Sequence, residues 1–267
     1  MPIAKLNRSI IRLSGEGVHD WLSGLITNTL DENITFAALL TPQGKIIADF
    51  FVIKEDDHLL IDAAEKFKDS LVKRLSMYRL RAPINIEMDS RDIYAAWDGI
   101  GDEGFKDPRH DVLGQRILAD YMDCEASDYD YDQHRLGLGI PDSQYDFDSA
   151  ATFPANANMD LLSGVNFKKG CFVGQEVVSR MYRKTEVKKR MRGFELAGTP
   201  ASNQIKIEDR IVGDIMYISN GKGMAMIRHD RLPQNASDGD LADKAEPLRV
   251  GEIDITLLDL PNGNTPK

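Results

Sequence analysis

The strongest constraint on this chain is a change of hydrophobic period near residue 192. Beyond it, apolar residues come only in short runs, at 193–196, 205–207, 211–218, 223–227 and 253–258, with Gly, Asn and Pro clusters between them. Strands of that length and spacing predict a small barrel or sandwich. Upstream the pattern is mixed. Residues 8–13 alternate as a strand. After Gly15-Glu16-Gly17, the residues Val18, Trp21, Leu22 and Leu25 fall at i, i+3, i+4 and i+7, an amphipathic helix with Trp21 in the core. Residues 37–53 read as a hairpin about Thr41-Pro42-Gln43-Gly44, with Pro and Gly placed as a type II turn wants them. Residues 59–61 add a third strand. Phe67, Leu71, Leu75 and Tyr78 mark a helix, and 84–86 another strand. No βαβ alternation is present, so the class is α+β with sheet pairing. At 267 residues about two domains are expected, 1–192 (open to division into two subdomains) and 193–267. Residues 98–150 are poor in pattern, with a strand near 116–118 and a helix near 128–136. The tail 262–267 is polar and expected to fray.

The formal net charge is −10, which argues against a generic nucleic-acid coat or cationic membrane binder. The charge is uneven. Residues 120–148 carry a net −8, whereas 166–192 carry +7. The part of the basic stretch from Arg180 to Arg192 has three open readings: a solvated helix end and strand start, an attractor for the anionic tail of a small molecule, or a contact for RNA or an acidic partner. Facing the acidic stretch is its simplest intramolecular use. The two cysteines, Cys124 and Cys171, cannot by themselves build a Cys₄ zinc site or a cluster cage. The five histidines show no ligand spacing, and Gln43-Gly44-Lys45 lacks the context of a phosphate-binding P-loop. No run of about 18 apolar residues occurs, and residues 1–8 lack an apolar signal core, so the expectation is a soluble intracellular protein without a signal peptide.

The densest local pattern is Lys168-Lys169-Gly170-Cys171-Phe172-Val173-Gly174-Gln175-Glu176. Two glycines bracket a cysteine within five residues. Val173, Val177 and Met181 recur at i+4, so a helix starts about Gly174. Cys171 then lies just before a helix N-terminus and beside two lysines, a setting that lowers a thiol pKa. The alternative is a small buried hydrophobe in a tight turn.

Lys169 to Glu176 resembles the K-G-C-[FY]-x-G-Q-E motif of the YgfZ family, folate-binding proteins similar to the glycine cleavage T-protein (aminomethyltransferase). The lead-in 153–167 is similar to that family, as are Gly15-Glu16-Gly17…Leu25-Ile26-Thr27-Asn28, the hairpin 40–49, Tyr78-Arg79-Leu80-Arg81, and 211–213 with 223–228. The resemblance implies a T-protein-like N-terminal folate-binding α+β region followed by a C-terminal β-barrel. It implies a tetrahydrofolate, or a one-carbon derivative, in a central cleft and no permanently bound metal. It implies a role in assembly or repair of iron–sulfur proteins, with an indirect effect on tRNA thiolation, and Cys171 as the functional centre. Lys169, Gly170, Gly174, Gln175 and Glu176 become cofactor-binding candidates with the motif. Asn156 stands where the family often has Glu. Arg79, Arg81 and Arg180 are candidates for the folate tail, Arg79 and Arg81 pointing the same way if the chain is extended there.

Two departures matter. T-proteins pair two Asp after the hairpin turn; here Ala48-Asp49 stands, leaving Asp49 as the carboxylate candidate for a catalytic role. Their L-R-x-E-x-G motif has its counterpart at Arg135-Leu136-Gly137-Leu138-Gly139, without the glutamate. A buried carboxylate accepts paired hydrogen bonds from a pterin, so its absence removes an anchor. Three functions follow: a folate-binding accessory factor for iron–sulfur proteins, a folate-dependent aminomethyl- or methyl-transferase, and an RNA- or protein-binding module. Whether turnover occurs stays open. The compartment expected is the cytoplasm, or the mitochondrial matrix in a eukaryote, with iron–sulfur client or assembly proteins as partners and no membrane.

Overall fold

The computed structural model describes residues 1–99, 101, 103–184, 187–233 and 247–261; the tail 262–267 lies outside them. In chain order the elements are β1 (Ile3–Lys5), β2 (Arg8–Gly15), α1 (Val18–Ser23), β3 (Ile34–Leu40), β4 (Ile46–Lys54) and β5 (His58–Ala64), then α2 (Lys68–Arg79), β6 (Ile84–Asp89), β7 (Asp92–Ala96), β8 (Phe105–Lys106) and β9 (Gln115–Ala119). They continue with α3 (Asp128–Gly137), α4 (Gln175–Lys184), β10 (Lys189–Leu196), β11 (Gln204–Ile207), β12 (Arg210–Ser219), β13 (Lys222–Arg228), β14 (Leu248–Val250) and β15 (Ile253–Leu257).

Three sheets result. One has the order β3-β4-β5-β2-β6 and another β1-β7-β9-β8, while β10-β13-β12-β11-β14-β15 closes as a barrel. The change of period near residue 192 falls inside β10, which starts at Lys189.

The five-stranded sheet is covered on both faces, which explains why β3, β4 and β5 read as nearly unbroken apolar runs rather than alternating ones. Its outer face (Ile11, Leu13, Leu39, Phe50, Val52, Ile61) packs on α1 through Leu22, on α2 through Leu71 and Leu75, and on Phe67 just before α2. Its inner face (Ile10, Phe36, Ala38, Phe51, Ile53, Leu60) meets Ile93, Ala95 and Trp97 of the second sheet and Tyr131 and Leu136 of α3. The hairpin turn closes differently from its type II reading. Gly44 N–H donates to the Thr41 carbonyl at 2.8 Å, which puts Gly44 at the fourth position with φ +79°, not at the third.

The inner face also carries charge. Asp49 of β4 and Asp62 of β5 are buried there with Arg8 of β2. Arg8 binds the Asp62 side chain and donates to the Asp62 carbonyl at 2.8 Å. Arg109 holds Asp107 in a fork at 3.0 and 2.9 Å. Arg116 lies 3.8 Å above the Phe51 ring and 3.4 Å from Asp62. Arg135 of α3 donates to Asp132 at 2.7 Å, to Asp146 at 2.7 and 3.2 Å, and to the Ile140 carbonyl at 3.0 Å. The barrel joins through Tyr217, whose hydroxyl donates to Asp132 at 2.9 Å.

The acidic stretch 120–148 is therefore largely structural. Asp132, Asp142 and Asp146 belong to this network, while Asp130 forms a capping box with Ser127 at the start of α3. The basic stretch is not one surface either. Arg190 is buried against Asp160 at 2.7 and 2.8 Å, and Arg192 donates to the Leu258 carbonyl at 2.7 Å. Among the described residues no ion pair joins the acidic stretch to the basic one.

Candidate functional site around Cys171

The segment 163–174 is built against two distant parts of the chain. On one side it meets 23–29. Thr27 donates to the Gly164 carbonyl at 2.7 Å, Asn28 to the Ser163 carbonyl at 2.7 Å, and Asn166 N–H to the Thr27 carbonyl at 3.0 Å. The Lys169 ammonium donates to the carbonyls of Ser23, Ile26 and Asn28 at 2.5, 2.7 and 3.1 Å. Burial pulls that ammonium down to about 8. On the other side the segment meets the hairpin turn. Gly174 has φ +82°, and a Cβ there would lie 2.6 Å from the Thr41 carbonyl oxygen and 3.0 Å from the Gly44 Cα. A Cβ on Gly44 would in turn lie 3.0 Å from the Val177 Cβ. The T-P-Q-G turn and the G-Q-E corner thus touch glycine to glycine, where no larger residue fits.

Between these two attachments Cys171 is an exposed free thiol, which removes the buried-hydrophobe alternative. Phe172 beside it is buried and anchors the turn to the core. Of the two lysines expected to act on the thiol, Lys168 and Lys169, Lys169 turns instead to the three carbonyls. The helix begins at Gln175, close to the expected Gly174. Gln175 donates back to the Gly170 carbonyl at 3.3 Å. Glu176 and Arg180 pair with each other at 2.9 Å on the exposed face of α4.

The remaining candidates lie elsewhere. Asn156 donates to the Lys189 carbonyl at 2.5 Å and lines a groove of about 290 Å³ with Phe153, Met181, Lys188 and Arg228. Arg79 ends α2 and donates to the Ile84 carbonyl at 3.3 Å. The chain is not extended there, because Leu80 has φ +46°. Arg79 and Arg81 are exposed at the α2–β6 connection, on the outer layer.

Asp49 is buried in the central network, accepting a hydrogen bond from Ser143. Burial, with the charge of Asp142 nearby, raises its carboxyl to about 6. Burial also pushes Asp142 up, but the guanidiniums of Arg8, Arg109 and Arg135 more than reverse that and hold it at about 2. Sequence reading did not find Arg8, Arg109, Arg116, Asp62, Asp107 or Ser143. Their signal is a charged residue inside an apolar strand, as at Asp62 in Leu59-Leu60-Ile61-Asp62-Ala63-Ala64. Among the described residues no group of three or more His, Cys, Asp or Glu is placed to hold a metal, and no helix is long and apolar enough to cross a membrane.

No family model matches the chain. In shape it matches the crystal structure of glycine cleavage system aminomethyltransferase T from Bartonella henselae, with a TM-score of 0.69 at 12% identity, covering 97% of this chain and 85% of that one. That likeness, with the closed C-terminal barrel and the layered α+β region, defines a protein of the T-protein fold. In sequence the chain is 30% identical over 230 residues to the iron–sulfur cluster assembly factor IBA57 homolog, mitochondrial, of Mycosarcoma maydis, covering 73% of this chain and 57% of that protein. It is 27% identical over 224 residues to the Neurospora crassa protein of the same name, covering 69% and 51%. It is 22% identical over 272 residues to human iron–sulfur cluster assembly factor IBA57, covering 84% and 76%. The chain spans little more than half the length of the two fungal relatives. The T-protein-like fold is as the octapeptide implied, and in sequence the chain is similar to proteins named as iron–sulfur cluster assembly factors.

The raised Asp49 carboxyl has a measurable consequence. Its ordinary value is 3.8, so between about 4 and about 6 the folded protein holds a proton there that the unfolded chain has lost. Its contribution to stability is full below about 4 and is lost as pH rises through 6. Asp49→Asn, which stays neutral, should gain in urea midpoint relative to wild type as pH rises from 4 to 7. A difference that stays constant across that range would contradict the assignment.

Proposed function

We propose that this chain is an accessory factor in iron–sulfur cluster assembly or repair that works through the Cys171 thiol. The observation that carries the reading is the placement of Cys171: exposed, yet on a turn attached on both flanks. The similarity to proteins named as cluster assembly factors supports it. The cluster, or its sulfur, is the substrate. As thiolate, Cys171 can supply one ligand to one iron. The remaining ligands come from the donor or acceptor protein, so the contact is brief and needs a partner. Effects on tRNA thiolation follow through the enzymes served. The relatives' names place those proteins in mitochondria; we propose the matrix for a eukaryotic source and the cytoplasm otherwise.

We extend the reading to a reduced folate between the sheets. The chemistry there fits a pterin. Among the described residues Arg116 Nε, Nη1 and Nη2 and Asp62 Oδ2 are buried without hydrogen-bond partners, Nη1 and Oδ2 facing each other only as an ion pair at 3.4 Å, and the Asp49 carboxyl can both donate and accept. As the side chains stand, the space beside Arg8, Arg135 and Asp142 is about 20 Å³, against roughly 300 Å³ or more for small-molecule pockets. Tyr145, which lines that space, is stacked on Tyr217 with centroids 5.3 Å apart and would have to move to admit a ligand. A bound folate would supply one-carbon chemistry, and Asp49, Asp62 and Arg116 are the side chains that would hold it. The transferase reading gains no support. Ala48 replaces one carboxylate of the T-protein pair, and a side chain at Gly137 would meet the Lys222 ammonium at 3.1 Å.

In cells lacking the endogenous relative, wild type and Cys124→Ser should restore iron–sulfur enzyme activity and Cys171→Ser should not. Full restoration by Cys171→Ser would remove the thiol from the function. In a thermal melt, tetrahydrofolate at ten times its Kd should stabilise the protein by about 1.4 kcal/mol, less so in Asp62→Asn. No shift in wild type or in Tyr145→Ala would discard folate and leave the Cys171 reading untouched.

A further inference from the structure

We infer that Lys169 is a positioning residue for Cys171, its ammonium tying the turn that presents the thiol to the end of α1 and the loop after it. The inference rests on the reading of Cys171 given above. An ammonium has three N–H donors and no acceptor, and Lys169 meets three carbonyls, those of Ser23, Ile26 and Asn28. The match is complete, so no donor is left for a ligand or for the thiol. Ser23 is the last residue of α1, where helix carbonyls lack partners within the helix and a lysine is a favourable cap.

The tie spans 141 to 146 positions of sequence in one side chain. It acts two residues from Cys171, which leaves the thiol little slack. The stem crosses the turn so that the ammonium sits 5.2 Å from the centroid of the buried Phe172 ring. Keeping a charge half-buried there is unfavourable, as its lowered pKa reflects. An ordinary surface lysine would avoid that cost. The hydrogen bonds of Thr27, Asn28 and Asn166 hold the chain before Lys169, and the Gly44–Gly174 contact holds it after Cys171. Lys169 closes the span between them.

The test uses Cys124→Ser protein, in which Cys171 is the only thiol, carrying a nitroxide spin label. The parent should give a broad, immobilised spectrum. Lys169→Met keeps the stem but removes all three donors, and should give a narrow, mobile one. Lys169→Arg, whose fork can reach two carbonyls, should stay close to the parent. A label on Cys124 in Cys171→Ser protein should not change with Lys169→Met. In the cell assay Lys169→Met should lose activity several-fold and Lys169→Arg should keep most of it.

The inference is overturned if Lys169→Met leaves the spectrum of the parent. It is overturned equally if the Cys124 label loosens as much, or if the label is freed while activity stays at the wild-type level. Should Lys169→Met not fold, the parent decides: a Cys171 label as mobile as one on Cys124 overturns the inference. A silent Cys171→Ser, by contrast, removes the role of the thiol while the spectra still report on the tie.

Discussion

The three layers meet over a set of charges taken out of water together. Arg8, Arg109, Arg116 and Arg135 stand against Asp49, Asp62, Asp107, Asp132, Asp142 and Asp146, with Phe51 beneath three of the guanidiniums at 3.8 to 5.5 Å. Removing such charges from water is expensive, and mutual attraction offsets it only where forked geometry and extra hydrogen bonds are present. Arg109 and Arg135 have that geometry. Because the partners come from β2, β5, α3, the second sheet and the barrel, the network fits only when all of them are docked. Burial, reinforced by the charge of Asp142, leaves Asp49 with a proton that is released only near pH 6.

The same hairpin carries this constraint to the surface. β4 turns Asp49 and Phe51 inward, while the turn before it, Thr41 to Gly44, supports the corner at Gly174. The thiol-bearing turn therefore rests on a strand pair fixed by the central network, and Lys169 fastens its other flank. An exposed cysteine on so determined a turn suits a ligand offered to another protein's cargo. Mobility would spread the thiol over many orientations, and deep burial would deny access.

Much of this was legible in the sequence. The apolar runs of 37–53 and 59–61, the helices at 18–25 and 67–78, and the late short strands all have local periodic signals. So does the octapeptide, because its turn residues and helix start are neighbours in the chain. β7 escaped because Asp92-Ile93-Tyr94-Ala95-Ala96 is short and flanked by polar residues. The charge network escaped because its members are distant in sequence, Arg8 and Asp62 by 54 positions. Counting charge along the chain suggested an acidic surface and a basic strip. Folding instead buries Asp132, Asp142 and Asp146 in the central network, Arg190 against Asp160, and Arg192 against the Leu258 carbonyl. Lys169 looked like part of a ligand site because nothing local reveals that its partners are carbonyls from the other end of the chain.

The central claim is that iron of the cluster meets the sulfur of Cys171. Selenium X-ray absorption tests it most directly, on protein carrying selenocysteine at position 171 and incubated with an iron–sulfur cluster donor protein. The account predicts an iron neighbour in the selenium coordination shell, absent before the donor is added. A selenium that keeps only its carbon neighbour throughout would contradict it.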